Sequence, residues 1–184
     1  MSGAAPGRAA VFLDRDGVLT HGEERDGKSY APRRLEDFRL LPGVREAVER
    51  LRAAGFLAVV VTNQPDIANG LVDPGVVEAM HQRLRAWLPL DAVEMCPHAD
   101  EQDCDCRKPK PGLLLASARR LNIDLGRSVM VGDRWKDIEA GRRAGCRTVF
   151  VDRGYSEPKA EAPDLIVASL PAAVDWILAR GTTS

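Results

Sequence analysis

No long hydrophobic run occurs in this sequence of 184 residues. The longest, "GFLAVVV" over residues 55–61, falls far short of the roughly 20 apolar residues that span a bilayer. A membrane setting is therefore not expected. The opening "MSGAAPGRAA" has no apolar core of the kind an export signal carries. It reads as a disordered lead-in over residues 1–9, before one domain over 10–184, and the expected compartment is the cytoplasm. Neither sign of charge dominates: 26 Lys and Arg stand against 27 Asp and Glu. That balance gives no footprint for nucleic acid, and the absence of a like-charge block gives no interaction tail. Internal repeats and low-complexity tracts are also missing. With no exposed apolar stripe in the pattern, a monomer is expected.

Cysteine is scarce too, with four in the chain, and their spacing argues against a disulfide framework. Cys96, Cys104 and Cys106 crowd into one segment, whereas Cys146 stands alone near an apolar run. Without an export signal, clustered cysteines point to metal rather than bridges. Cys146 reads as a small core residue.

Short apolar runs rich in β-branched residues recur as "AAVFLD", "FLAVVVTN", "AVEMC", "SVMVGD" and "TVFVD". They are continuous rather than alternating, as in strands covered on both faces. Helical patterns lie between them. "LPGVREAVERLRAAG" places apolar residues at Val44, Val48 and Leu51 and stops at Gly55. "DPGVVEAMHQRLRAW" offers Asp73 as N-cap and Pro74 at the first helical position. "KPGLLLASARRLN", "KDIEAGRRAG" and a final "PAAVDWILARG" follow the same logic. The alternation predicts an α/β fold of Rossmann-like, three-layer architecture around a mostly parallel sheet. In such sheets ligands bind outside the carboxyl ends of the strands. Asp14, Thr62 and Asp133 each end an expected strand, so one crevice can gather them.

Asp14-x-Asp16-Gly17 follows the first strand. Alone it is also what a polar turn looks like. Further along, Thr62 and Asn63 end "VVVTN", Arg107 and Lys108 precede a helix start, and Asp133 and Asp137 bracket another turn. Asn63, Gln64 and Arg134 sit beside these positions as candidate substrate contacts. This ordered set resembles the haloacid dehalogenase superfamily of phosphotransferases, whose four motifs match Asp14-x-Asp16, Thr62, Lys108 and Gly132-Asp133-x3-Asp137. Within it, "TNQ", "CPH", "CDCRKP" and "PG" are similar to the heptose bisphosphate and histidinol-phosphate phosphatases. The likeness covers roughly residues 10 to 155.

The resemblance implies a Mg²⁺-dependent phosphatase acting on a small phosphorylated metabolite, foremost a sugar bisphosphate such as D-glycero-D-manno-heptose 1,7-bisphosphate losing its 7-phosphate in nucleotide-activated heptose synthesis. Histidinol phosphate is the alternative substrate. Asp14 is then the nucleophile, forming an aspartyl-phosphate. Asp16 protonates the leaving oxygen and later deprotonates water. Mg²⁺ is held by the Asp14 and Asp133 carboxylates and the Asp16 carbonyl. Thr62 and Lys108 hold the phosphoryl oxygens, Asp137 orients Lys108 or a metal-bound water from behind, and Arg107 is a bidentate contact for a second phosphate or a substrate hydroxyl. Gly17 lets the chain turn, so that carboxylates which strand alternation would part meet one phosphate.

Cys96-x-His98-x5-Cys104-x-Cys106 supplies three thiolates and one imidazole, a closed tetrahedral set for structural Zn²⁺. Such a site would pin the loop delivering Arg107 and Lys108. Two readings compete with catalysis: a zinc-stapled interaction module without activity, and a redox protein using Cys104-x-Cys106. Neither His81 nor His21 carries a functional assignment: His81, mid-helix, is expected on the surface, and His21 lies just beyond the nucleophile loop. The stretch "THGEERDGKSYAPRRLEDF" is too short for a cap domain, so the cleft is expected to be capless. Pro65 removes a backbone donor beside it, and Asp66 adds negative charge.

Overall fold

The structure is a computed structural model and describes residues 6–181. Its elements run β1 (Ala10–Leu13), β2 (Glu23–Arg25), β3 (Lys28–Tyr30), α1 (Val44–Ala53), β4 (Leu57–Asn63), α2 (Pro74–Trp87), β5 (Ala92–Cys96), α3 (Gly112–Leu121), β6 (Val129–Gly132), α4 (Trp135–Ala144), β7 (Arg147–Val151), β8 (Leu165–Val167) and α5 (Leu170–Gly181). Six strands form one sheet in the order β5-β4-β1-β6-β7-β8, every pair parallel. β2 and β3 make a separate antiparallel hairpin.

Alternate residues of each central strand feed different cores, which is why the runs are apolar throughout. Val11 and Leu13 of β1 pack with Val44, Met80 and Val174 under α1, α2 and α5. Ala10 and Phe12 point the other way, to Leu114 and Ala140 under α3 and α4. Cys146 belongs to this second core, where burial pushes its thiol up to about 12. The expected three-layer arrangement is thus present. None of the described helices is long and apolar enough to cross a membrane.

Residues 1–5 of the expected lead-in lie outside the described residues. Arg8 and Ala9, placed in the same lead-in, are instead tied down. The Arg8 amide donates to the Asn122 carbonyl at 2.9 Å, and the Ala9 carbonyl accepts from Leu57 at 3.0 Å. A strand flanked by partners on both sides extends its ladder past the apolar run. Two elements were not anticipated, β8 and the β2–β3 hairpin. The hairpin turns at Asp26 and Gly27, with φ of 51° and 72°, the pair of left-handed residues that a tight hairpin turn uses. The segment is no cap domain, but it forms a wall of the cleft.

Candidate active site

Each strand end delivers its residue to the same cleft. Past Leu13 the chain continues the ladder once more, the Asp14 amide donating to the Val131 carbonyl at 3.0 Å. It then turns back through Gly17, at φ +90°, closed by Gly17 N donating to the Thr20 carbonyl at 2.8 Å. Gly17 is required for a second reason: a Cβ there would lie 1.9 Å from Asp133 Oδ2. The turn brings Asp14 and Asp16 to one cleft of about 270 Å³, together with Thr62, Asn63, Arg107, Lys108, Arg134 and Asp137.

Lys108 sits at the centre, 2% exposed. Its Nζ donates to Asp14 Oδ1 at 2.9 Å and to the Val61 carbonyl at 2.8 Å, and stands 2.6 Å from Asp137 Oδ1. Burial alone would push this ammonium down. The charges of Asp137 and Asp14 reverse that and hold it above its ordinary value. Asp137 spends its other oxygen on the Arg134 amide at 3.0 Å. Burial pushes its carboxyl up to about 6, against the pull of Lys108. Asn63 clamps the lysine backbone in both directions, accepting from Lys108 N at 3.1 Å and donating to its carbonyl at 3.0 Å.

Asp133 is buried, and neither of its carboxylate oxygens receives a hydrogen bond. Burial, followed by the charges of Asp14 and Asp137, pushes its carboxyl well above the usual range. Carboxylate oxygens of Asp14, Asp133 and Asp137 lie within 4.8 Å of one another. Asp137 is already engaged by Lys108, whereas neither Asp133 oxygen accepts a hydrogen bond and only the charge of Arg134 offsets its own. A hard divalent cation fits that deficit.

Asp16 is held by donors from three residues. Arg15 reaches it through Nη2 at 2.9 Å and Nε at 3.1 Å, Thr20 Oγ1 donates at 3.1 Å, and Gln64 Nε2 at 2.9 Å. Gln64, expected among the substrate contacts, is buried behind them and also donates to Thr62 Oγ1 at 2.9 Å. Arg15 is wholly buried, its guanidinium 5.3 Å above the Phe38 ring and its Nη1 donating to His81 Nε2 at 3.1 Å. His81 is therefore not a surface residue. It is 2% exposed, because α2 turns that face inward onto Arg15 and Phe38. Burial and then the charges of Arg15 and Arg85 push its imidazole down to about 3, so it accepts as a neutral ring. His21 is exposed and does not line the cleft.

At the rim, Arg107 Nε donates to Asp100 Oδ1 at 2.5 Å and Nη1 to the His98 carbonyl at 3.2 Å. Arg134 Nη2 donates to the Ser29 carbonyl and Nε stands 3.3 Å from Glu157. Asp66 does not add a free negative charge, since Arg33 Nε donates to it at 2.7 Å. Sequence reasoning missed Lys28, Ser29, Tyr30 and Lys136, which also line the cleft. The Asp26-Gly27 pair was the available signal for the first three. Behind Arg107, Cys96, His98, Cys104 and Cys106 converge. Sulfur–sulfur separations are 3.0 to 3.5 Å, and His98 Nδ1 lies 3.3 Å from Cys106 Sγ. All four cysteines of the chain are free thiols. Four soft donors facing one point, with no disulfide, match a tetrahedral metal site.

Comparisons with known proteins agree with this geometry. Residues 105–173 match the HAD-hydrolase-like family model. The chain is 39% identical to a D-glycero-D-manno-heptose-1,7-bisphosphate 7-phosphatase of Thermosynechococcus vestitus, over 92% of this chain and 95% of that protein. It is 40% identical to the D-glycero-beta-D-manno-heptose-1,7-bisphosphate 7-phosphatase of Pseudomonas aeruginosa, over 80% and 83%. The crystal structure of the D,D-heptose 1,7-bisphosphate phosphatase of B. bronchiseptica, complexed with magnesium and phosphate, superposes with a TM-score of 0.80 at 31% identity, covering 94% of this chain and 99% of that one. With such likeness along nearly its whole length, the chain belongs to the heptose-1,7-bisphosphate 7-phosphatase family of HAD-like phosphatases.

Proposed function

We propose that the protein hydrolyses the 7-phosphate of D-glycero-D-manno-heptose 1,7-bisphosphate through an aspartyl-phosphate. The observation that carries this reading is the pairing of Asp14, held by Lys108 in a cation-rimmed cleft, with the buried Asp133 carboxylate beside it, which accepts no hydrogen bond. The Asp14 and Asp133 carboxylates and the Asp16 carbonyl would hold Mg²⁺. When bound, it offsets the charge that otherwise keeps a carboxylate from a phosphate. An Asp14 oxygen attacks phosphorus as the bond to the sugar oxygen breaks, and Asp16 gives that oxygen its proton. Asp16, now ionised, takes a proton from the water that next displaces Asp14. Lys108 and Thr62 steady the phosphoryl oxygens, which is positioning and electrostatics rather than bond-making. Arg107, Arg134, Lys28 and Lys136 give the cationic rim a sugar's second phosphate needs.

Zn²⁺ at Cys96, His98, Cys104 and Cys106 would be structural, since four protein donors leave no position for substrate. The same reading makes the enzyme a cytoplasmic monomer. The exposed large apolar side chains among the described residues are scattered, Tyr30 on β3, Leu71 in the loop before α2 and Ile166 on β8. The test is phosphate release, with and without Mg²⁺, from both anomers of the heptose bisphosphate and from histidinol phosphate. Release from one heptose anomer well above the others supports the proposal. Preference for histidinol phosphate keeps the chemistry and removes the substrate.

A further inference from the structure

At the opposite end of the sheet, where strands begin, a second cavity of about 450 Å³ opens. Its walls are the residues entering β1, β4, β6 and β7 and the closing turns of α1 and α5. Four arginines surround it, Arg8, Arg127, Arg147 and Arg180, and no Asp or Glu lines it. In a chain whose charges nearly cancel, that is a local departure. Some arginines elsewhere are matched with carboxylates, Arg33 with Asp66, Arg50 with Asp175 and Arg52 with Asp91, while Arg45 and Arg83 donate to backbone carbonyls. Among the described residues none of the four pairs with a carboxylate. Asp124, beside Arg127 in sequence, spends Oδ1 on the Gly126 amide at 3.0 Å.

Arg127 Nη1 donates to the Gly7 carbonyl at 3.4 Å, but four guanidinium groups without a carboxylate partner around one cavity raise its potential and favour a ligand with several negative oxygens, which the planar fork binds two at a time. One wall is aromatic. Trp176 is half-buried beneath Arg180, whose guanidinium carbon lies 4.5 Å from the ring centroid, and Phe56 lines the same space. The volume suits a small molecule rather than a single ion. Phosphates for the arginines and a flat ring for the indole together describe a nucleotide.

We infer that this cavity is a binding site for a nucleoside diphosphate, its phosphates on Arg147 and Arg180 and its base against Trp176. The site is separate from the catalytic cleft. Ala9 at its wall and Asp14 are five residues apart along β1, about 16 Å at ~3.3 Å per residue. The inference therefore stands whatever the phosphatase substrate proves to be.

The test titrates the full-length Asp14→Asn protein, in which turnover is blocked, with ADP while following tryptophan fluorescence. Saturable quenching is expected, abolished in the added Trp176→Phe change and weakened at least about tenfold by Arg147→Ser with Arg180→Ser. Pyrophosphate should compete, and adenosine should not bind measurably. Both arginines are exposed, so the variants should fold, and circular dichroism checks this. Arg147→Ser alone gives an independent reading in the same direction. No saturation at millimolar ADP overturns the inference. So does undiminished binding in the arginine variants, or binding lost instead through Arg107→Ala in the catalytic cleft.

Discussion

Gly17 has no side chain, and the site depends on that. Its φ of +90° and the 1.9 Å that would separate a Cβ from Asp133 Oδ2 make alanine doubly unfavourable. The left-handed backbone costs on the order of 1–2 kcal/mol, and the clash falls on a carboxylate assigned to the metal. Gly17→Ala should lower kcat/KM by at least ~100-fold, equivalent to ~2.7 kcal/mol in the barrier, while the urea midpoint moves far less than activity does. His81 permits a pH prediction. Its folded-state pKa of about 3 lies below the 6.5 of a free imidazole, so the unfolded chain binds the extra proton first. Its contribution is complete above about pH 6.5 and is lost as pH falls. Between pH 7.5 and 5.0 the wild type should therefore lose up to about 2 kcal/mol more unfolding free energy than His81→Gln. Parallel urea titrations at the two pH values measure the difference, and equal losses would exclude the role.

The loop from Cys96 to Lys108 joins a soft-donor cluster to the centre of the cleft within thirteen positions of chain. Arg107 leans on Asp100 and the His98 carbonyl, both inside that loop, and Lys108 follows it directly. Loosening the cluster should therefore loosen the cations. Cys104→Ser is expected to release zinc, measured by metal analysis, and to lower kcat/KM for the bisphosphate at least about tenfold, ~1.4 kcal/mol. A zinc-free variant of full activity would contradict the link. The β2–β3 hairpin shows the limit of reading elements locally. Three-residue strands give too little periodicity to identify, and only the Asp26-Gly27 turn marks them. β8 is equally short and is held by its pairing with β7.

Across the whole molecule, the legible part is what the parallel sheet makes inevitable. Once β1, β4 and β6 are seen to be buried on both faces, Asp14, Thr62 and Asp133 must emerge at one end. The residues that escaped reading depend on packing between distant segments. His81 looks like a surface position until Arg15 and Phe38 are placed against α2, and Gln64 looks like a ligand contact until Asp16 is seen to need it. Asp66 could be read as an added charge only while Arg33, 33 residues away, was unplaced. Scattered exposed apolar residues predict sedimentation as one 20.0 kDa particle at micromolar concentration, and a concentration-dependent dimer would revise that view.

The central claim is that Asp14, not water, first displaces the sugar oxygen. The most direct measurement is the stereochemistry of phosphoryl transfer from a 7-phosphate made chiral with oxygen isotopes, using an alcohol as acceptor. Two in-line displacements, one onto Asp14 and one from it, predict retention at phosphorus. Inversion would mean a single displacement by the acceptor and would contradict the assignment of Asp14 as nucleophile.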